Sequence, residues 1–472
     1  MIKNHSIWLT LLLLMVLSVS SCTPVIAPSN TPGGTHVPTV AVKPVATETP
    51  LPPAVDGFGV APAALKGLQI HFMYPWAGAS QEELERMVDQ FNQTNEWGIH
   101  VIQTTPGSTA MEISKTWEGI ANQQAPNVLA APLSFLLAID EKEEQVADLT
   151  PYVESAAYGL DDVLLADFNA EFWQEDELSD KRYGIPAQRS ALLMAYNSAW
   201  AAELGFEGPP ISVEDFKEQA CAANAFYKKD GDTLNDGLGG WLIDTGSDTF
   251  YSWLSSFGAK PFLNGQYRFS DEAAINTLNY LFDLKAKSCA WSGTSPQVEP
   301  YFANRQALLM TIWMQDIPRL AETMKQLNPK DASSWTLLPF PSVGKPTVFV
   351  SGSSYGILQH NPEEDLASWL FIRWLSQPEQ QIRLLRVFRT LPLGLQAQNA
   401  MNTEGSNQQW KDAVEASGQI ISPPADADWQ VVHPVLEDAS WQLFRTEITA
   451  ENLPAILTEL DNLAKELGER YP

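Results

Sequence analysis

Positive charge is scarce in this chain. Its 29 lysines and arginines stand against 57 aspartates and glutamates, a net charge of −28. That balance repels nucleic acid and anionic lipid surfaces, so neither is expected as a partner, and solubility is the plainest use of the acidity. Histidine is scarce too. The six (His5, His36, His71, His100, His360 and His433) form no HExxH or HxxxH pair, and no CxxC occurs, so no metal site is expected. GxGxxG and GxxxxGK[ST] are both missing, which removes the usual phosphate-cradling loops, and no cofactor is expected. Only three cysteines are present, Cys22, Cys221 and Cys289, and only one long apolar run, residues 7–21.

That run, with Lys3 upstream and small residues at its end, has the layout of a secretory signal and is too short for a comfortable membrane span. Its last residues, Val19-Ser20-Ser21-Cys22, resemble the lipobox of bacterial lipoproteins. The resemblance implies a signal peptide over residues 1–21, cleavage before Cys22, and a lipid on Cys22; the alternative is an ordinary signal with a chance cysteine. Residues 22–65 are rich in Pro and Thr, with little charge and no periodicity. They read as an extended tether reaching about 130 Å if stiff. The globular part is then expected on the extracytoplasmic face of the cell membrane, anchored by lipid alone. In an oxidising compartment Cys221 and Cys289 are expected to pair as a disulfide, the alternative being two free buried thiols.

Beyond residue 65 the chain is long enough for two domains, and a hydrophobic content of 44% supplies their cores. Residues 66–135 alternate between strand and helix periods: "GLQIHFMY", "SQEELERMVDQFNQTNEW", "GIHVIQTT", "TAMEISKTWEGIANQQ", "NVLAAP". This predicts βαβαβ and a parallel sheet covered on both faces. Ser80 with Glu83 reads as a capping box on the first helix, and Ser212 with Asp215 and Asn361 with Glu364 as later caps. Ligands of parallel sheets bind at the carboxyl ends of strands, which points to "YPWAGAS" at 74–80.

Few motifs suggest catalysis. "GSSYG" (352–356) fits the nucleophile elbow GxSxG, but the strand pattern continues after it and no helix follows until Pro362. It reads instead as a Gly/Ser-rich turn facing a cleft. "DGDTLNDG" (230–237) places Leu234 where a calcium loop needs an oxygen, and so reads as a surface turn. Asp161-Asp162 could serve a glycosidase, with solvated loop as the plainer reading. Aromatic residues, by contrast, are abundant: 16 Trp, 12 Tyr and 20 Phe. Trp76, Trp253 and Trp313 stand beside expected strand ends or turns with small polar neighbours. An aromatic face next to hydroxyls and amides suits a sugar; each could equally be a core residue.

Taken in order, "IHFMYPWAGASQEELERMVDQFNQTN", "VADLTPYV", "YGIPAQRSALLMAYNSAW", "NRQALLMTIW", "WTLLPFPSVGK", "GSSYGIL" and "ASWLFIRWLSQPEQQ" resemble the extracellular solute-binding proteins of bacterial ABC importers, sugar-binding type. The resemblance covers about 66–400. It implies an α/β, two-lobed periplasmic-binding-protein fold (type II, maltose-binding-like) with a hinge and an interlobe cleft. It implies lobe one at 66–186 plus 300–350, lobe two at 187–299 plus 351–472, and a hinge at "YGIPAQRS". Family contact positions fall here on Trp76, Ser80, Arg189, Tyr196, Trp253, Thr311, Trp313, Ser353 and Ser354. Asn127 stands where the family usually carries an aspartate. The implied function is capture of a sugar, polyol or glycerol phosphate by a monomer and delivery to ABC permease subunits, without catalysis. Arg189 could answer a phosphate or serve as a hinge ion-pair partner. A lipid-anchored surface glycosidase is the enzymatic alternative, and an adhesin or cell-wall scaffold a third.

Overall fold

The computed structural model describes residues 57–403, 407–416, 418–445 and 447–470. The leader over 1–21, Cys22 and most of the tether lie outside the described residues. The first half is built from β1 (Gln69–Met73), α1 (Ala79–Thr94), β2 (His100–Thr104), α2 (Thr109–Ala121), β3 (Val128–Ala131), α3 (Leu133–Glu143), α4 (Ala170–Glu175) and the long β4 (Ile185–Tyr196). Then come α5 (Val213–Tyr227), β5 (Trp241–Leu242), α6 (Ser247–Ser256), α7 (Glu272–Ala286), β6 (Ala290–Trp291), β7 (Leu309–Trp313), β8 (Thr336–Leu338) and the long β9 (Thr347–Ile357). The chain ends with α8 (Pro362–Leu375), α9 (Pro378–Phe388), β10 (Gln419–Ile421), α10 (Trp429–Leu443) and α11 (Leu453–Arg470).

The opening βαβαβ forms as its periodicity predicts. β1 turns Ile70 and Phe72 inward and Gln69 and His71 outward, and α1 buries Leu84, Met87, Val88 and Phe91 along one stripe. β1 pairs in parallel with both β2 and β3, as helical crossovers require. The start of α1 departs from expectation. Gly78, at φ 64°, is the N-cap, and Ser80 lies inside the helix with no capping role. Glu83 instead binds Arg86 and Arg383 of α9. The caps at Ser212 and Asn361 form, the first as a full box with Asp215. Asn127 is not an idle replacement: its Oδ1 accepts from His71 N, and its Nδ2 donates to Glu364 Oε2 at 2.7 Å, which a carboxylate could not do.

One sheet runs through the molecule in the order β6-β5-β7-β4-β9-β3-β1-β2, with β8 added to β4 and β10 to β9. Its centre is the antiparallel pair β4 and β9. Residues 185–191 of β4 pair with β9, whereas 192–196 pair with β7. Residues 354–357 of β9 pair with β3, whereas 347–349 pair with β10. Each long strand therefore belongs to one half of the molecule at its start and to the other at its end. "GSSYG" lies inside β9, so it is neither an elbow nor a turn, and the pairing shifts register between Ser353 and Ser354. A Cβ on Gly352 would stand 1.8 Å from Gln188 O, so the strands can approach only over a glycine.

Two large cores flank this pair. One joins Phe72, Met87, Val101 and Ile185 to Tyr355, Trp369 and Phe371. The other joins Met194, Trp200, Trp241 and Trp253 to Leu309, Phe349, Trp429 and Leu457. The expected division of the chain differs from this packing. Residues 309–313, assigned to the first lobe, pair with β5 and β4 on the side of the second core. Residues 362–375, assigned to the second, pack on β1 with the first core. In both places the apolar run fits either lobe by pattern, and only the partner strand decides.

Cys221 of α5 and Cys289, beside β6, form a disulfide with Cα atoms 4.3 Å apart and a sequence separation of 68. Replacing both with serine should lower stability by about 4 kcal/mol through the entropy that the unfolded chain regains without the cross-link, read from urea midpoints, and the unreduced chain should show no labelling at these two positions. A second prediction concerns Glu112 of α2. It is fully buried with neither carboxylate oxygen hydrogen-bonded, and burial pushes it up to about 9. Unfolded it titrates near about 4.3, so between that pH and about 9 the folded chain holds the extra proton. Stability should therefore fall as pH rises through this window, by up to about 1.4 kcal/mol per unit from this group. Glu112→Gln should flatten that slope in denaturation curves at pH 5, 7 and 9.

Candidate functional site

The carboxyl ends of β1, β2 and β3 face β4, β9 and the end of β7 across a cleft, which holds two adjoining cavities. The first, about 590 Å³, is bounded on one side by Trp76, Ser80, Ser108, Thr109 and Pro132, from the loops and first helical residues after the three parallel strands. Opposite stand Gln188 and Ser190 of β4, Ser351 and Ser353 of β9, and Trp313 and Gln315 at the end of β7; Phe388 and Thr390 complete it. Hydroxyls, amides and indoles line it, and none of its residues is ionisable. Trp76 and Trp313 are each partly exposed. Trp76 is backed by Tyr74, with centroids 5.8 Å apart, and by Phe388 at 4.8 Å. Trp313 meets Phe349 edge-on at 6.0 Å. The Ser190 hydroxyl donates to Gln315 Oε1, which leaves the Gln315 Nε2 hydrogens for another partner.

The second cavity, about 770 Å³, adjoins the first over Thr109, Pro132, Ser351 and Gly352. Ile113, Leu133, Pro423 and Pro434 give it apolar walls, and Glu175, Asp176, Asp248, His433 and Gln430 its polar groups. His433 Nε2 lies 2.9 Å from Asp248 Oδ1. Gln430 of α10 donates to the Ser134 hydroxyl at the start of α3, so the two sides of the cleft touch there.

The expected site residues divide. Trp76, Ser80, Trp313 and Ser353 come together on the first cavity. Tyr196 does not: it is buried, and its hydroxyl donates to Gln219 Oε1 at 2.7 Å. Trp253 is 1% exposed, packed edge-on against Phe216 and Phe340 in the second core. Thr311 is buried against Met194 Sδ. All three are core residues, because their side chains point into the layers beneath the sheet edge. Gln188, Ser190, Gln315 and Ser351 escaped the sequence reading. Gln188 and Ser190 had a signal, the polar pair flanking Arg189 in the otherwise apolar "IPAQRSALLMAY".

Arg189 is buried, and all five of its N–H donors are engaged. Nε donates to Glu175 Oε2 at 2.8 Å; Nη1 to Gln188 O and Ser353 O; Nη2 to Asp176 Oδ1 and Ser354 Oγ. Ser354 Oγ also donates to Asp176 Oδ1 at 2.6 Å, so Ser354 serves this network and not the cavity. Burial pushes the Asp176 carboxyl up, against the pull of Arg189. The network binds α4, β4 and β9 together at the register shift. Arg189→Met would leave Asp176 buried without its cation and should cost about 3–5 kcal/mol of stability by urea denaturation. Arg189→Lys should restore little of it, since one ammonium cannot replace the fork. Unchanged stability in both variants would contradict a structural role.

Comparison with known proteins places this architecture. The family model described as bacterial extracellular solute-binding protein matches residues 86–417. Among curated protein sequences none matches the chain. Among solved structures, the sugar-binding protein MalE from Xanthomonas citri is 18% identical, with a TM-score of 0.69 over 85% of this chain and 98% of that one. The cyclic alpha-maltosyl-1,6-maltose binding protein from Arthrobacter globiformis is 16% identical, with a TM-score of 0.67 over 84% and 99%. The substrate-binding protein Lmo0181 from Listeria monocytogenes, solved with cycloalternan, is 18% identical, with a TM-score of 0.67 over 85% and 99%. The chain belongs to the bacterial extracellular solute-binding proteins and has their two-lobed, maltose-binding-like α/β fold.

Proposed function

We propose that this protein is the receptor of an ABC importer: it captures a carbohydrate-type solute between its lobes and hands it to the permease subunits. The observation that carries the proposal is the first cavity, where two partly exposed indoles stand among hydroxyls and amides at the carboxyl ends of the strands. A sugar offers an apolar C–H face to an indole and hydroxyls to the polar rim. The similar solved structures agree with it: one is a sugar-binding protein, one binds cyclic alpha-maltosyl-1,6-maltose and one was solved with cycloalternan. In this reading the lobes close by a hinge at the centre of β4 and β9. Lobe one takes roughly residues 57–186 and 354–388, and lobe two roughly 192–350 and 419–470, following the two cores. The protein binds without catalysis. An enzymatic reading finds little support: "GSSYG" is extended strand, and Asp161 is spent as a helix cap on Leu164 N.

The attachment belongs to the same proposal. No helix among the described residues is long and apolar enough to cross a membrane. A lipid on Cys22 and a tether over 22–65 would keep the receptor, as a monomer, near its permease on the outer face of the cell membrane. Cys22→Ala should release the protein from salt-washed membranes with its melting temperature unchanged; a variant that still pellets would contradict the anchor.

Stacking of one sugar face on Trp313 is worth about 1–3 kcal/mol, so Trp313→Ala should weaken binding roughly tenfold to a hundredfold in calorimetric titration. Its melting temperature should stay close to wild type, because the indole is already partly exposed. Full affinity combined with a large loss of melting temperature would instead make Trp313 a core residue.

A further inference from the structure

We infer that Asn92 and Asn95 of α1 form a guard that closes the free edge of β2 to strand addition, and so keeps the chain from pairing with a second copy of itself. β2 is the last strand of the sheet and pairs with β1 alone. Its even-numbered residues face β1: His100 N donates to Leu68 O, and Thr104 O accepts from Tyr74 N. The peptide groups of Ile99, Val101 and Gln103 therefore point away from the sheet. A row of outward N–H and C=O groups is a template for another strand, and sheet edges are commonly blunted by brevity, proline, charge or a bulge. The other terminal strands of this sheet, β6, β8 and β10, are only two or three residues long. β2 has five residues, "HVIQT", with no proline and no Lys, Arg, Asp or Glu, and it pairs with β1 without a register shift. Every one of those devices is missing from it, and Val101 and Ile102 favour extended pairing.

Two side-chain amides stand in their place. Asn92 Oδ1 accepts from Val101 N at 2.7 Å, and its Nδ2 donates to Val101 O at 3.0 Å. Asn95 Oδ1 accepts from Ile99 N at 2.9 Å, and its Nδ2 donates to Ile99 O at 2.9 Å. Each amide thus occupies both of the groups that a neighbouring strand would use. A carboxamide holds an acceptor and a donor side by side, whereas a carboxylate has no donor and an alkyl group has neither. The spacing matches on both elements. Asn92 and Asn95, three apart, share one face of the helix. Ile99 and Val101, two apart, share one edge of the strand. Asn95 is also the C-cap of α1, and its Nδ2 donates to Phe91 O at 2.8 Å, which fixes the amide in place. The matching edge of a second copy is the occupant that the guard excludes. Antiparallel pairing about a two-fold axis would set Val101 against Val101 and Ile99 against Gln103, so the edge is self-complementary once the amides are gone.

The test uses the full chain. Hydrogen exchange resolved to single amides should show Ile99 and Val101 exchanging at least about tenfold more slowly than Gln103, relative to their unprotected rates, although all three point away from the sheet. Asn92→Ala combined with Asn95→Ala should lift that protection. The double variant, with its fold checked by circular dichroism, should pass from monomer to dimer in sedimentation velocity as its concentration is raised, and the wild type should show no such shift. Adding Gln103→Pro removes one outward N–H and leaves the ladder with β1 intact, so it should return the double variant to monomer. Equal exchange at the three amides of the wild type overturns the inference, and this measurement decides it even if the double variant does not fold. So does a folded double variant that stays monomeric at every concentration, association that persists with Gln103→Pro, or a wild type that shifts to dimer equally.

Discussion

The guanidinium of Arg189 is the constraint on which the rest of the structure depends. It sits at the one place where the two long central strands change partners, and it fastens both to the end of α4. Its net contribution to stability is modest, since the cost of burying the charges offsets much of their attraction. What it supplies is geometry. With Arg189 fixed, the side chains on either side of it along β4, Gln188 and Ser190, are turned into the cleft, and Ser353 is held opposite them. The lack of charge in the first cavity follows from the same arrangement: the nearby ionic groups pair with one another on the side of the second cavity.

Around that centre the fold places chemistry by rule. Parallel strands with helical crossovers bring three helix N-termini and the loops before them to one edge of the sheet. Across the cleft, β7 ends at Trp313 and turns Gln315 toward Ser190. Neither side of the cleft alone encloses the first cavity. The contact between Gln430 and Ser134 shows the two sides meeting at one end of the cleft, while the first cavity stays lined from both.

Much of this was legible in the sequence. The βαβαβ opening, the caps at Ser212 and Asn361, and the places of Trp76 and Trp313 follow from period, cap chemistry and strand ends. Other parts were not. Trp253 and Tyr196 share the composition of a sugar-binding stretch, yet a helix or strand side chain one step round its element faces the core, and local sequence does not fix that step. Ser80 reads as a cap because Glu83 follows at the right spacing, but Gly78 can adopt the positive φ that begins α1 earlier. The Gly/Ser composition of 352–356 suggests a turn, whereas the glycine is needed for close approach of two strands. The assignment of 309–313 and 362–375 to their lobes depends on long-range pairing, which periodicity does not carry.

The most direct measurement is a crystal structure of the full chain with the neutral saccharide that binds it most tightly. The account predicts a sugar ring against Trp313 and Trp76, hydrogen-bonded to Gln188, Gln315 and Ser353, with the guanidinium of Arg189 still held by Glu175 and Asp176. A ligand bound outside this cleft, or one that draws Arg189 away from its carboxylates to bind it, would contradict the account.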